Sequence, residues 1–236
     1  MSNAEHTCAY NILKTLNIAD LSSAPQKSVT RLDFAQYICR LLRIAPSGKA
    51  DFSDTDSEYA AAISKSGYMN CISENIFGAD IPIKTLDAAK VIADICGYKN
   101  LAVQYGGYPS GYESCVSSLK LTSGISNECL TYADAALLLM RGLFLDRYSQ
   151  NTLSGDIKSI AEETYSLKEI SGICESKNTG LTVGSNQAVI NGTEIYCENP
   201  AEFEGRFVKA YYTDIKGEQS LVYAYKTKSD EYTIQS

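Results

Sequence analysis

The sequence predicts an α+β chain in two parts: a mainly helical region made of three repeats, then a small antiparallel β-sheet or barrel. Up to about residue 148, apolar residues recur at spacings of three and four, which is typical of amphipathic helices. Beyond residue 156, short runs of β-branched and aromatic residues replace that pattern. At 236 residues the chain is long enough for more than one domain.

One helix-opening pattern occurs three times in the helical region. Its copies are Val29–Ala35, Ile83–Ala89 and Leu130–Ala136. When their aspartates are aligned, the apolar positions downstream also match, and their spacing puts each set on one face of a helix. A unit that repeats every fifty residues or so cannot bury this face alone, so the copies are expected to pack on one another. We therefore expect Thr30–Leu42, Lys84–Cys96 and Thr131–Leu143 to be helices that meet at a common axis.

Breaks in the pattern indicate the domain organisation. The helical domain is predicted over residues 7–148, with repeats at 7–44, 51–98 and 106–146. The polar segment 149–155 is rich in residues that interrupt regular structure, so it is the predicted linker. A small β domain is predicted over residues 156–236.

About five strands are predicted in the β domain. Asn191-Gly192 is a strong signal for a two-residue hairpin turn, and it separates the predicted strands 187–190 and 193–196. The other strands are predicted at 165–175, 205–212 and 221–225. So many short strands in about eighty residues favour a small antiparallel sheet or barrel.

Composition argues against several classes of function. The formal net charge of −7 is unfavourable for a nucleic-acid partner, and no apolar run approaches the roughly 20 residues of a membrane-spanning helix. The eight cysteines form no C-x-x-C pair and the chain has one histidine, so we expect no metal site. No P-loop, G-x-S-x-G or H-E-x-x-H motif is present. We expect a protein that is not an enzyme and has no cofactor.

The cysteines are expected to be mainly structural. Cys39 and Cys96 continue the helical apolar pattern, which favours buried, reduced thiols that pack as small apolar side chains. Cys174 and Cys197 lie in segments that resemble strands. Their spacing leaves both a disulfide and two separate thiols open.

Several motifs in the helical region resemble those of tandem S-layer homology (SLH) modules in bacterial cell-surface proteins. Phe52–Asp54 is similar to the F-x-D opening of that family, and Gly67 is placed like the glycine after its first helix. Val29–Asp33 resembles the family's I-T-R-A-E signature. Gly106–Tyr112 is similar to a stretch common in clostridial, Firmicutes-like members.

This resemblance implies a pseudo-threefold arrangement of three modules, each giving one helix to a central bundle. It also implies an extracellular protein of the cell wall or S-layer, attached non-covalently to an anionic, pyruvylated secondary cell wall polysaccharide in grooves between modules. Other surface-layer proteins are further implied partners. The alternative is a degenerate SLH scaffold that mediates protein–protein contacts at the cell surface without binding sugar.

The resemblance also suggests the ligand-binding residues. The signature arginine helps to hold the anionic sugar in the family, and a guanidinium suits a carboxylate because it can bind both oxygens. Arg31 matches it, whereas the second repeat offers Lys84 as a point charge and the third has Tyr132. The candidate ligand-binding residues are Thr30, Arg31, Asp33, Lys84, Thr85, Asp87, Tyr108, Tyr112 and Tyr132.

Each group of candidates also has a structural interpretation. Thr30 with Asp33, like Thr131 with Asp134, fits a helix capping box without any ligand. The tyrosines could plug the end of the bundle as well as stack on sugar rings. Arg31 could instead form a salt bridge to a nearby acid, for which the candidates are Asp54, Asp56 and Glu58.

Overall fold

The computed structural model describes residues 3–48, 51–148, 157–176 and 186–227. These residues contain eight α-helices and five strands, which confirms an α+β fold. The chain divides into two compact units, Met1–Thr164 and Tyr165–Ser236. This division falls later than the linker predicted at 149–155, a segment that lies outside the described residues.

Helices make up the regular structure of the first unit. They are α1 (Asn3–Thr15), α2 (Arg31–Leu41), α3 (Glu58–Lys65), α4 (Thr85–Ile95), α5 (Lys99–Gln104), α6 (Ser110–Ser118), α7 (Tyr132–Phe144) and α8 (Ile160–Tyr165), the last of which ends at the unit boundary. The three helices predicted from the repeated pattern are confirmed as α2, α4 and α7. Their apolar faces are buried, as the spacing of three and four residues predicted.

A closed cycle of backbone hydrogen bonds joins the segments that precede these three helices. The Val29 amide donates to the Leu130 carbonyl at 2.8 Å, the Leu130 amide to the Ile83 carbonyl at 2.9 Å, and the Ile83 amide to the Val29 carbonyl at 2.9 Å. All three residues are buried. Each equivalent segment therefore donates to one of the others and accepts from the remaining one.

A second cycle flanks the first: its donors lie two residues after the residues of the first cycle, and its acceptors lie two residues before them. Its amide-to-carbonyl bonds are Arg31 to Ile81 at 2.9 Å, Thr85 to Glu128 at 2.8 Å and Tyr132 to Lys27 at 2.9 Å. These donors are the first residues of α2, α4 and α7, so the cycles fix where the three helices begin. They also satisfy amides that a helix start would otherwise leave without partners.

The described part of the second unit contains five strands. They are β1 (Leu167–Ser176), β2 (Gln187–Ile190), β3 (Thr193–Tyr196), β4 (Phe207–Ile215) and β5 (Glu218–Lys226). They close into a barrel in the order β1-β2-β3-β5-β4. The first strand starts later than predicted, because Tyr165 ends α8 and Ser166, with a φ of 51°, turns the chain.

The prediction of an entirely antiparallel sheet is wrong for one pair of strands. β3 and β5 run parallel where Tyr196 faces Ser220, whereas the other four pairings are antiparallel. Between them the chain passes through a short 3₁₀ helix, Pro200–Glu202, and the whole of β4. It therefore returns beside β3 in the same direction.

Local signals in the barrel sequence are confirmed. Asn191 and Gly192 have φ values of 48° and 78° and connect β2 to β3, as expected for a two-residue hairpin with both central residues left-handed.

Cys174 and Cys197 are buried in the barrel core as separate thiols, which settles the alternative that the sequence left open.

A glycine marks close packing between α4 and α7. A Cβ added at Gly142 would lie 2.6 Å from Cγ2 of the fully buried Ile92, so alanine there requires a shift. We expect Gly142→Ala to lower Tm. The collision costs about 1–3 kcal/mol, and the better helix propensity of alanine returns at most about 1 kcal/mol. Thermal unfolding tests this, with Ser114→Ala at an exposed position of α6 as the control. An unchanged or raised Tm would contradict the packing.

The buried helical cysteines are expected to resist thiol reagents in the native protein. Burial raises the pKa of Cys39 to about 11 and that of Cys96 to about 12, so the reactive thiolate is scarce at pH 8. Cys71 is exposed and provides the internal control. Peptide mapping after brief alkylation should find Cys71 modified, and Cys39 and Cys96 modified only after unfolding. Rapid native labelling of either buried thiol would contradict this expectation.

Candidate functional site

A cleft opens beside the start of α2 and reaches the second repeat. Its volume is about 260 Å³, and we call it the first cleft. The residues that matter for its chemistry are Arg31, Met69, Asn70, Asp87, Lys90 and Tyr108. Three of the predicted ligand residues, Arg31, Asp87 and Tyr108, therefore come together here.

Arg31 is held in place by backbone groups of the second repeat. Its Nε donates to the Phe77 carbonyl at 2.9 Å and its Nη2 to the Asn70 carbonyl at 2.7 Å. The guanidinium carbon lies 5.2 Å from the centre of the Phe77 ring, a cation–π distance. Burial lowers the pKa of Arg31, and the nearby Asp87 opposes that change. Arginine nevertheless stays charged at neutral pH.

The guanidinium keeps unused hydrogen-bond donors at the cleft. These two bonds use two of its five N–H groups, and the described residues offer the other three no acceptor. The alternative that Arg31 pairs with Asp54, Asp56 or Glu58 is wrong, because within the described chain no carboxylate oxygen lies within 4.0 Å of it. A charged, fixed and partly unsatisfied donor group is suited to an anion.

Asp54 fixes the loop at residues 77–79, which includes the Phe77 carbonyl that binds Arg31. Its carboxylate accepts hydrogen bonds from the amides of Phe77, Gly78 and Ala79 at 2.8, 2.7 and 2.8 Å. These bonds lower the pKa of Asp54, with the Ala79 amide making the largest contribution. The carboxylate is thus occupied by backbone amides, which explains why it does not pair with Arg31.

Asp87 has a different role from its equivalents in the other repeats. Thr30 and Thr131 cap α2 and α7 through the predicted capping boxes with Asp33 and Asp134, which are confirmed. The N-cap of α4 is Lys84, whose side chain makes no capping bond. Asp87 instead accepts a 2.9 Å hydrogen bond from the Tyr108 hydroxyl, which raises the pKa of Tyr108.

One face of α4 extends this arrangement. Asp94 accepts a 2.6 Å bond from the Tyr112 hydroxyl and forms a 2.8 Å salt bridge with Lys90. The Lys90 ammonium also lies 5.2 Å from the centre of the Tyr112 ring. Residues at spacings of three and four share a helix face, so Asp87, Lys90 and Asp94 contact the two tyrosines together. Tyr112 itself is buried.

A second cleft, of about 430 Å³, opens at the start of α4. Its polar lining consists of Lys84, Thr85, Tyr108, Glu113, Thr122, Asn127 and Glu128. The Thr85 hydroxyl donates to the Asn127 carbonyl at 2.6 Å. The Lys84 ammonium lies 3.8 Å from Glu128, and because both side chains are mostly exposed the pair stabilises little.

Four of the nine candidate residues line neither cleft. Thr30 and Asp33 form a helix cap, and Tyr112 is buried against α4. Tyr132 is buried with the Lys27 ammonium 5.3 Å from the centre of its ring. A hydrogen bond with Tyr132 is the main cause that raises the pKa of Lys27.

Sequence reasoning missed some residues that line the clefts. Lys90 could have been found, because it follows Asp87 by three residues on the same helix face. Glu128 could also have been found, since it occupies the repeat position of Lys27 and Ile81. Asn70 contributes a backbone carbonyl to Arg31, and no side-chain pattern signals that contact.

Comparison with known proteins gives no assignment. No protein-family model matches the chain, and no curated protein matches it. In the part of the chain that the structure describes, no group of three or more metal-ligating side chains is placed to hold a metal ion, and no helix is long and apolar enough to cross a membrane. The site is therefore interpreted from its own geometry.

Asp54→Asn should destabilise the helical unit. A folded-state pKa below the usual value of about 3.9 means that ionised Asp54 stabilises the fold above that pH, and that this stabilisation is lost as the pH falls through the folded pKa. We expect Asp54→Asn to lower Tm at pH 7, and the difference from wild type to shrink below about pH 4.

The control for this prediction is Asp56→Asn, which removes the same charge at an exposed neighbouring position. Thermal unfolding across pH 3–7 is the measurement. Equal Tm values for wild type and Asp54→Asn at pH 7, or a difference that grows on acidification, would contradict the role given to Asp54.

Proposed function

We propose that the helical unit is a non-catalytic, SLH-like attachment module that binds an anionic, pyruvylated secondary cell wall polysaccharide at the outer cell surface. The observation that carries this proposal is the state of Arg31. It is fixed by two carbonyls, it is paired with no carboxylate among the residues that the structure describes, and it borders a cleft with unused donors.

The hydrogen-bond cycles support the SLH-like arrangement. Val29, Ile83 and Leu130 hold equivalent positions in the three repeats and are bonded head to tail in a closed ring. A ring of this kind is what three modules around a pseudo-threefold axis would produce. The two clefts lie at the starts of α2 and α4, next to this ring, which agrees with grooves between modules.

The lining of the first cleft suits a pyruvyl ketal. Such a group carries a carboxylate and a methyl group on one carbon. Arg31 can donate two parallel hydrogen bonds to the carboxylate, as a guanidinium does with planar anions. Met69, Ile83 and Val91 give the same cleft an apolar wall that a methyl group could contact. Arg31 is already immobilised, so little side-chain entropy is lost on binding.

A second candidate function is a scaffold for protein–protein contacts without sugar binding. The observation that favours it is the uneven charge of the equivalent positions. Lys84 shares the second cleft with Glu113 and Glu128, and Tyr132 is buried beneath Lys27. Arg31 is the one signature arginine in the three repeats. In a scaffold, the absence of the other two would mean that the grooves no longer bind sugar.

Binding to wall sacculi that carry the pyruvylated polymer distinguishes the two functions. We expect Arg31→Ala to remove most of the bound protein, because charge-assisted hydrogen bonds contribute about 1.5–3 kcal/mol each. Arg31→Lys keeps the charge but not the fork, so it should bind at an intermediate level. Lys65→Ala makes the same charge change at an exposed site outside both clefts and should bind as wild type.

Sacculi from which the pyruvyl-bearing polymer has been removed complete the experiment. Anchoring predicts that wild type is no longer retained by them. If wild type binds neither preparation, the scaffold function is favoured. If Arg31→Ala binds normally and Lys84→Ala does not, the ligand occupies the second cleft. Arg31 also bonds the backbone of Asn70 and Phe77, so replacing it can disturb the fold. Circular dichroism of each variant is therefore needed to show that a loss of binding is not a loss of folding.

A further inference from the structure

The two clefts share one residue, Tyr108. Its side chain borders both, and about half of the residue (54%) remains exposed to solvent. The other lining residues described above belong to one cleft or the other. A ligand that extends out of the first cleft along this boundary would therefore meet the Tyr108 ring before it enters the second.

The Tyr108 side chain is fixed although it is exposed. Its hydroxyl is bonded to Asp87 at 2.9 Å, and its ring centre lies 6.4 Å from that of the buried Tyr112. Tyr112 is in turn anchored to Asp94. An exposed aromatic ring that is already held in place offers contact area at a low entropy cost, which suits stacking against a sugar ring.

The clefts differ in charge. The first is lined by two cations, Arg31 and Lys90, and by one carboxylate, that of Asp87. Lys90 also forms a 2.8 Å salt bridge with Asp94. The second contains Glu113 and Glu128 against the single cation Lys84. A second anionic sugar would approach two carboxylates, and like charges in one cleft disfavour binding. An uncharged sugar avoids that cost and can use the hydroxyl and amide groups of Thr122 and Asn127.

We propose that a single polysaccharide strand crosses both clefts, with its anionic sugar in the first, its uncharged neighbour in the second, and the Tyr108 ring as the stacking wall between them. This inference rests on the proposed function, because it takes the anion at Arg31 as its starting point. It names the ligand more closely: the recognised unit is at least a disaccharide whose second sugar has no charge.

Calorimetric titration of the full chain with three synthetic glycosides tests this inference. The first is a pyruvylated hexose monosaccharide, the second adds a neutral hexose, and the third adds a uronic acid instead. We expect the neutral disaccharide to bind roughly tenfold more tightly than the monosaccharide, the gain expected of one good aromatic contact. The uronic-acid disaccharide should show no gain.

Three variants assign the gain to Tyr108. Tyr108→Ala should bind the monosaccharide and the neutral disaccharide equally well, whereas Tyr108→Phe keeps the ring and should retain most of the gain. Tyr105→Ala is the matched control, since Tyr105 is similarly exposed (51%) and lines neither cleft. Its affinities should equal those of wild type.

The outcomes separate this inference from the proposed function. If the monosaccharide binds but the neutral sugar adds nothing, or if Tyr108→Ala keeps the full gain, the bridging strand is wrong and anchoring through Arg31 stands. If the uronic-acid disaccharide binds as tightly as the neutral one, the charge selection is wrong. If no glycoside binds folded wild type, both the inference and the proposed function are overturned.

Discussion

The helical unit depends on the closed cycle of hydrogen bonds among Val29, Ile83 and Leu130. These short backbone bonds join three segments that are far apart in sequence, and each segment leads directly into one of the helices α2, α4 and α7. The cycle lies in the core, where an unpaired backbone group would be costly. Arg31 lies two residues after Val29, and Thr85 lies two residues after Ile83. The bonds of the cycle therefore also position these two cleft residues.

A change at one N-cap gives the clefts their different chemistry. A threonine caps each of α2 and α7, and the aspartate of the same capping box accepts a hydrogen bond from the backbone amide of that threonine. In the second repeat the N-cap is Lys84, and the threonine has moved to the first helical residue, where its hydroxyl bonds to Asn127. Asp87 is then available to fix Tyr108. One local substitution thus supplies the second cleft with a cation and both clefts with a rigid aromatic wall.

The features that could be predicted from sequence are those that depend on neighbouring residues. The capping boxes of Thr30 and Thr131, the three periodic helices and the Asn191-Gly192 hairpin all follow from short-range patterns. The parallel pairing of β3 with β5 depends on how the whole chain closes, so strand patterns did not indicate it. The contacts of Arg31 are likewise long-range: its acceptors are backbone carbonyls, which every residue carries and no pattern marks. The nearby acids suggested a salt bridge instead, and the structure shows Asp54 bonded to amides.

A crystal structure of the chain with a pyruvylated hexose glycoside would show whether Arg31 receives the anionic sugar in the first cleft. We expect the ligand carboxylate at about 2.7–2.9 Å from guanidinium nitrogens of Arg31, with Nε and Nη2 still bonded to Phe77 and Asn70. A glycoside bound elsewhere on the protein, or one whose carboxylate contacts no N–H of Arg31, would mean that Arg31 is not the anion site.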